Sequence, residues 1–381
     1  MKKSKDKIIT LIILIALICI LAVFSIISLN AYNYQIKGTI SKIEKVNDID
    51  ETYATIIEMS DDNNYVYINK AGTYVISGVC NDGFILVNAK RQNIYLVLDN
   101  LTLTSLSTSC IIVDDANIVF LNLKKDTINT LNDANKVAYY TVPSGNVKES
   151  KGCIYSKDNL TINGTGTLYI NGNYSNGIAC NDSLTIYSSN IIINSVTHGI
   201  NVNEAFVTDS ANITITSGKD GIHSINRNNP SKNYCTILGG TININSNGDG
   251  IDSSGDLGIS DGEITITSNK TGLLCTSDII IKGGKISITS NNSSISGDIV
   301  AISGGTIDLI TNNLVSSIKA EELIHINGGE IYITSNGYGL YSNSTIVIKK
   351  GYIKINKATS DIVASSITIK GGTIENSNND D

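Results

Sequence analysis

The chain has 381 residues and a net charge of −7, with 28 Lys and Arg against 35 Asp and Glu. This balance offers no basic footprint and excludes a nucleic-acid partner. With 33 glycines, two prolines, no tryptophan and 6% aromatic residues, an ordinary core built on large rings is also excluded, which leaves stacked aliphatic side chains.

In chain order, the first element is a basic head, MKKSKDK, followed by residues 8–29, which are apolar or small and carry no charge. About 20 such residues span a bilayer as a helix, while a signal-peptide core runs to about 7–15. Residues 1–30 therefore read as one N-terminal transmembrane helix, with its lysines inside and the remainder displayed at the cell surface. The alternative is a cleaved signal peptide and a secreted chain. Residues 31–62 read as a stalk, 63–376 as the main domain and 377–381 as a polar tail. The six cysteines beyond the apolar run show no CxxC spacing. They read as small buried hydrophobes, neither a zinc site nor a disulfide framework.

From residue 63 the chain alternates apolar with polar residues, the period-2 mark of strands with one buried face. Residues 124–151 break the alternation and read as a protruding loop. Beyond them a repeat governs everything. An aliphatic residue after Gly, Ser or Asp recurs at Ile178, Ile200, Ile222, Ile251, Leu273, Ile295, Ile318, Leu340 and Ile362, with spacings of 22, 22, 29, 22, 22, 23, 22 and 22. Ile154 precedes them. Each unit contains a short strand, a glycine turn and a second strand such as TININS, EITITS or KISITS. Strands this short cannot bury their apolar face alone, but stacked turns can. The expectation is an all-β, right-handed, single-stranded parallel β-helix of about 22 residues per coil. The longer spacing should loop out around residues 226–234.

Neighbouring coils lie about 4.8 Å apart, so a repeat position becomes a column. Two residues before the anchor the column reads Asn176, His198, Asp220, Asp249, Thr271, and one residue after it Ala179, Asn201, His223, Asp252, Leu274. Two carboxylates at that spacing repel by about 1 kcal/mol in water and about 3–4 kcal/mol at an effective dielectric of 20. A cation between them reverses the sign. Calcium binds oxygen at about 2.3–2.6 Å, so two ligands on opposite sides of one ion match the coil spacing. Asp220, Asp249 and Asp252 are thus candidate Ca²⁺ ligands, with Asn201 and the histidines beside them; a solvated Asp/His ladder served by water and turn amides is the alternative. A second column holds Asp158, Asp182 and Glu204, with Asp256, Asp278 and Asp298 near it in later coils. These are weaker metal candidates, because an Asp before a strand commonly closes a turn on its own backbone.

The segments AGTYVISGVCNDGFILVNA, KGCIYSKDNLTINGTGTLYINGNYSNGI, KDGIHS and GDGIDSSGDLGISDGEITITS resemble the bacterial carbohydrate-binding β-helix family of cellulose-degrading clostridia. The resemblance runs from about Asn63 to Glu375. It implies a fold similar to that of polysaccharide lyases, bound calcium, and affinity for cellulose and acidic pectin-type chains such as polygalacturonate, without catalysis. The later coils TGLLC, SSISG, SSIKA and YGLYS lack the aspartates, so the metal role carries only to Asp220, Asp249 and Asp252, with Asp256, Asp182 and Asp158 behind them. His198, Asn201, His223 and Arg227 are candidate ligand contacts. Tyr338 and Tyr341, with Tyr332 and Tyr352 in adjacent coils, are candidates for sugar stacking. The leading expectation is a surface-anchored, calcium-dependent polysaccharide-binding protein that is not an enzyme. A pectate-lyase-like activity, with Lys219 or Arg227 as base, and a non-catalytic adhesin or scaffold are the alternatives.

Overall fold

The computed structural model describes residues 43, 45–46, 49–226, 229 and 232–377. Residues 8–29 lie outside them; among the described residues no helix is long and apolar enough to cross a membrane.

The described chain is a parallel β-solenoid of about 14 turns with about 22 residues per coil. Each coil contributes three short strands, so the stack has three faces. In one coil these are Ile222–Ser224, Tyr234–Ile237 and Gly240–Ser246, and in the next Ile251–Ser253, Asp256–Ile259 and Glu263–Ser268. Strands pair only with their counterparts above and below: Ile222 with Ile251, Ile237 with Ile259, Ile242 with Ile264. We call the three the anchor face, the second face and the third face.

The vertical registry expected from the 22-residue repeat is present throughout. Ile154, Ile178, Ile200, Ile222, Ile251, Leu273, Ile295, Ile318, Leu340 and Ile362 pair one upon the next. Alternation explains their burial: along Glu263–Ser268 the outward Glu263, Thr265 and Thr267 are exposed, while Ile264, Ile266 and Ser268 are buried. The inward isoleucines of all three faces form one continuous core. Each contributes about 1.5–3 kcal/mol by leaving water.

Two glycine columns let the coil close. Gly221 lies so near the core that a Cβ there would come within 2.4 Å of Ile244 Cγ2 and 2.6 Å of the Gly250 carbonyl. Gly262 and Gly284 open third-face strands at φ of +113° and +90°, a region that disfavours residues with a Cβ. The six cysteines from Cys80 to Cys275 are free and buried.

Two segments differ from expectation. The stack begins at Thr55–Met59, inside the segment read as a stalk, because TIIEM pairs with Gly72–Cys80. Residues 124–151 do not simply protrude. Ile128–Asn132 belongs to the third face, paired with Asn93–Thr104 and Thr167–Gly172. Ala138–Thr141 and Val147–Ser150 form an antiparallel hairpin laid on the anchor face. Tyr140 and Val142 bury themselves there against Leu86, Ile112, Tyr155 and Ala179. The buried Asp114 fastens the hairpin, accepting hydrogen bonds from Tyr140 Oη at 2.8 Å and Lys148 Nζ at 2.7 Å. The aromatic pair inside a polar segment is what a search for alternation passes over.

The 29-residue spacing falls between the anchor-face strand Ile222–Ser224 and the second-face strand Tyr234–Ile237. Asn233 pins the returning end: its Nδ2 donates to the Glu204 carbonyl at 2.7 Å, and its Oδ1 accepts the Gly255 amide at 2.9 Å.

Candidate functional site

The two central columns meet where the third face turns into the anchor face. At three positions of the column two before the anchor, a side-chain oxygen caps the amide of its counterpart in the next coil. Asn176 Oδ1 accepts from His198 N at 3.2 Å, Asp220 Oδ1 from Asp249 N at 2.8 Å, and Asp249 Oδ1 from Thr271 N at 2.8 Å. One oxygen of each aspartate is therefore committed to closing the coil. The residue after the anchor points outward from the same strand, so Asn201, His223 and Asp252 stack in register.

Around Asp220 the two columns converge. His223 Nδ1 stands 3.0 Å from Asp220 Oδ2 and 3.3 Å from Asp252 Oδ2. His198 Nδ1 stands 3.1 Å from the same Asp220 oxygen. It is sealed from solvent and lies off the hydrogen-bonding direction, so it is close without a hydrogen bond. The two imidazoles stack with centroids 4.2 Å apart. Burial pushes the Asp220 carboxyl up, but the two histidines and the Asp249 amide outweigh it and hold it well below the usual carboxylate range. Burial pulls His223 down, yet hydrogen bonds to Asp220 and Asp252 prevail and raise it to about 9. Burial raises the Asp249 carboxyl, helped by Asp220 and Asp252 and opposed by the Thr271 amide. His223 is thus held toward its protonated form between Asp220 and Asp252.

Asp220, Asp249 and Asp252 each bring an oxygen within 4.8 Å of the others, as do His198, Asp220 and His223 with their nitrogens and oxygen. Calcium takes six to eight oxygens. Here two carboxylate oxygens are spent on amides, and two ring nitrogens crowd a third. The donor set is mixed nitrogen and oxygen, and it does not match an all-oxygen calcium shell.

The weaker acids lie elsewhere. Asp158 Oδ2 accepts the Ala116 amide at 2.8 Å, and burial followed by Asp182 raises its carboxyl. Burial and then Glu204 raise Asp182, while Glu204 pairs with Lys232 at 2.9 Å. Asp256 opens a second-face strand and accepts from Ser277 Oγ. Both bonds cross to a neighbouring coil, so these acids tie coils together and do not close turns on their own backbone. Arg227 lies outside the described residues.

The tyrosines divide between two faces. Tyr338 and Tyr341 stack in near-parallel fashion on the anchor face, centroids 5.7 Å apart. Tyr332 and Tyr352 meet edge-on at 5.8 Å on the third face. The single platform expected of all four does not form, because successive strands of one coil look in different directions. Tyr332 of the third-face pair lines a shallow cavity of about 540 Å³ together with Glu263, Thr265, Lys285, Ser287, Thr306 and Asp308. Glu263 and Lys285 pair across adjacent coils at 2.9 Å, and Tyr352 Oη donates to Glu375 at 2.7 Å. This groove was missed in the sequence. Its signal was nonetheless there: Glu263, Lys285, Thr306, Glu330 and Tyr352 form one column, and Thr265, Ser287, Asp308, Tyr332 and Lys354 the next.

A family model described as carbohydrate-binding domain-containing protein matches residues 62–313 and again 250–381. A relative from Acetivibrio thermocellus, described in the same words, is 36% identical over 131 residues, which are 34% of this chain and 45% of the relative. The chain thus spans less than half the length of that relative. A solved structure, described as a polysaccharide lyase-like protein from C. thermocellum in a gadolinium derivative, is 28% identical. That likeness covers 62% of this chain and 93% of the other, with a TM-score of 0.48.

Proposed function

Because the chain belongs to the carbohydrate-binding domain family, whose model matches residues 62–313 and 250–381, we propose that it is a non-catalytic polysaccharide-binding protein of the cell surface. Its third face holds an extended glycan of the plant cell wall. The observation that carries this is the groove of about 540 Å³ beside Tyr332. An extended sugar chain presents hydroxyls along its edges and apolar C–H faces. The groove answers both, with Thr265, Ser287 and Thr306 for the hydroxyls and Tyr332, which Tyr352 meets edge-on from outside it, for the faces. Glu263 and Asp308 line it too, and carboxylates repel a uronate. A neutral, cellulose-like chain is favoured over an acidic pectin-type one.

Retention of the full chain on insoluble cellulose and on polygalacturonate, with and without chelator, tests this. Wild type should be retained on cellulose regardless of chelator. Replacing Tyr332 and Tyr352 together by Ala should cost about 1–3 kcal/mol of stacking, a fall of roughly tenfold or more in affinity. Replacing Tyr338 and Tyr341 should leave retention intact. Loss with the second pair alone would move the site to the anchor face. Retention only on polygalacturonate, abolished by chelator and restored by Ca²⁺, would overturn the neutral-chain reading for the calcium-dependent one drawn from the acidic column. Appearance of unsaturated, ultraviolet-absorbing product would make the protein a lyase.

A further inference from the structure

The His/Asp cluster needs its own account, because neither a glycan groove nor a calcium shell explains two imidazoles aimed at one carboxylate oxygen. Three nitrogen-to-oxygen separations define it: 3.0, 3.1 and 3.3 Å. Ligands bound at about 2.0–2.1 Å to one ion lie about 2.9 Å apart at right angles and about 3.3 Å apart at a tetrahedral angle. The observed separations fall on those edges. The His198 Nδ1 is sealed from solvent and without a hydrogen-bond partner, an orphaned polar atom that a metal would satisfy. The Asp249 amide, donating to Asp220 Oδ1 at 2.8 Å, fixes the carboxylate so that Oδ2 faces both rings, as an outer-shell partner of a metal ligand does. His223 and Asp252 keep 23% and 15% of their side chains exposed, which leaves an entry.

We propose that His198, His223 and Asp220 bind one divalent transition metal of the zinc, cobalt or nickel class at the corner between the third and anchor faces, with Asp252 beside His223 at its exposed edge. Imidazole with carboxylate is the donor set such ions prefer, whereas calcium and magnesium prefer oxygen alone. The ion joins side chains from two successive coils and acts as a clamp across them. The site is independent of the glycan reading, since none of its ligands lines the groove.

The test uses the full chain without a polyhistidine tag, stripped with chelator and dialysed. Titration with Co²⁺ should produce visible d–d absorption that saturates at one equivalent. Zn²⁺ should displace the cobalt and excess Ca²⁺ should not. Uptake should raise the melting temperature. Replacing His198 and His223 together by Gln should weaken Co²⁺ binding at least tenfold. If that variant melts below the range of the experiment, Asp220→Asn, which keeps an acceptor for the Asp249 amide, should still weaken binding at least tenfold. Absence of Co²⁺ uptake by wild type, displacement by Ca²⁺ as effective as by Zn²⁺, or unchanged affinity in both variants would overturn the proposal. Cellulose retention is expected to be the same in all of these variants, so this result and the glycan result are read separately.

Discussion

A carboxylate buried in a stack of coils must be stabilised locally or shed its charge, and the chain contains both outcomes. Asp220 has two histidines and an amide and stays ionised. Asp133 is 6% exposed and accepts the Asn173 amide at 2.6 Å. Burial overrides that bond and pushes its carboxyl up to about 7. A raised acid favours the folded state fully below its unfolded value of about 3.9, and that contribution is lost as pH rises through 7. Above pH 7, Asp133 carries a charge the fold does not accommodate. Asp133→Asn keeps an acceptor for Asn173 and removes the charge. It should leave the melting temperature near pH 4 almost unchanged and raise it at pH 8, by an amount worth about 2–4 kcal/mol. Equal melting temperatures at pH 8 would show that Asp133 relaxes into solvent when ionised.

At the scale of the coil, most of what matters was legible because the repeat converts sequence distance into contact. The anchor column, the stacking of His223 on Asp252 and the place of the longer spacing between two strands all follow from counting. What did not follow was side-chain direction. Counting put Asp220 above Asp249 but could not show that one oxygen of each would cap the next coil, or that two histidines would turn toward the other. It also lost the hairpin, whose strands run outside the stack and obey no 22-residue period. The register itself depends on Gly221 and its column mates. Gly221→Ala should destabilise by about 1–3 kcal/mol or more, since the clash involves backbone of the next coil as well as a packed isoleucine. Gly239→Ala is the control: its nearest contact would be Asp209 Oδ1 at 3.5 Å, and it should melt within a degree or two of wild type. Equal losses for the two variants would show that the cost does not come from the close approach of coils, since replacing glycine at an open position otherwise stabilises by restricting the unfolded chain.

The described coils form a one-dimensional array in which each pairs with its neighbours, so stability is close to a sum of coils and their interfaces. This gives the clearest test that the groove and the metal cluster are separate devices on one rod. Removing residues 273–294 deletes one full coil and joins Gly272 to Ile295, which already follows Leu273 in the same column. The stack should close over the gap with its three faces in register. Removing only residues 273–283 would bring the chain back half a turn out of phase, with outward residues facing the core. The full-coil deletion should stay soluble and melt cooperatively, and the half-coil deletion should not. Within the shortened rod, His198, Asp220, His223 and Asp252 keep their mutual positions, because all belong to coils before the cut. The groove does not survive, since Lys285 and Ser287 are gone and Glu263 now lies against Thr306. Cobalt uptake should therefore persist at one equivalent while cellulose retention falls at least tenfold. Loss of both together would tie the metal and the glycan to a single site, and retention of both would place the glycan away from the Tyr332 groove.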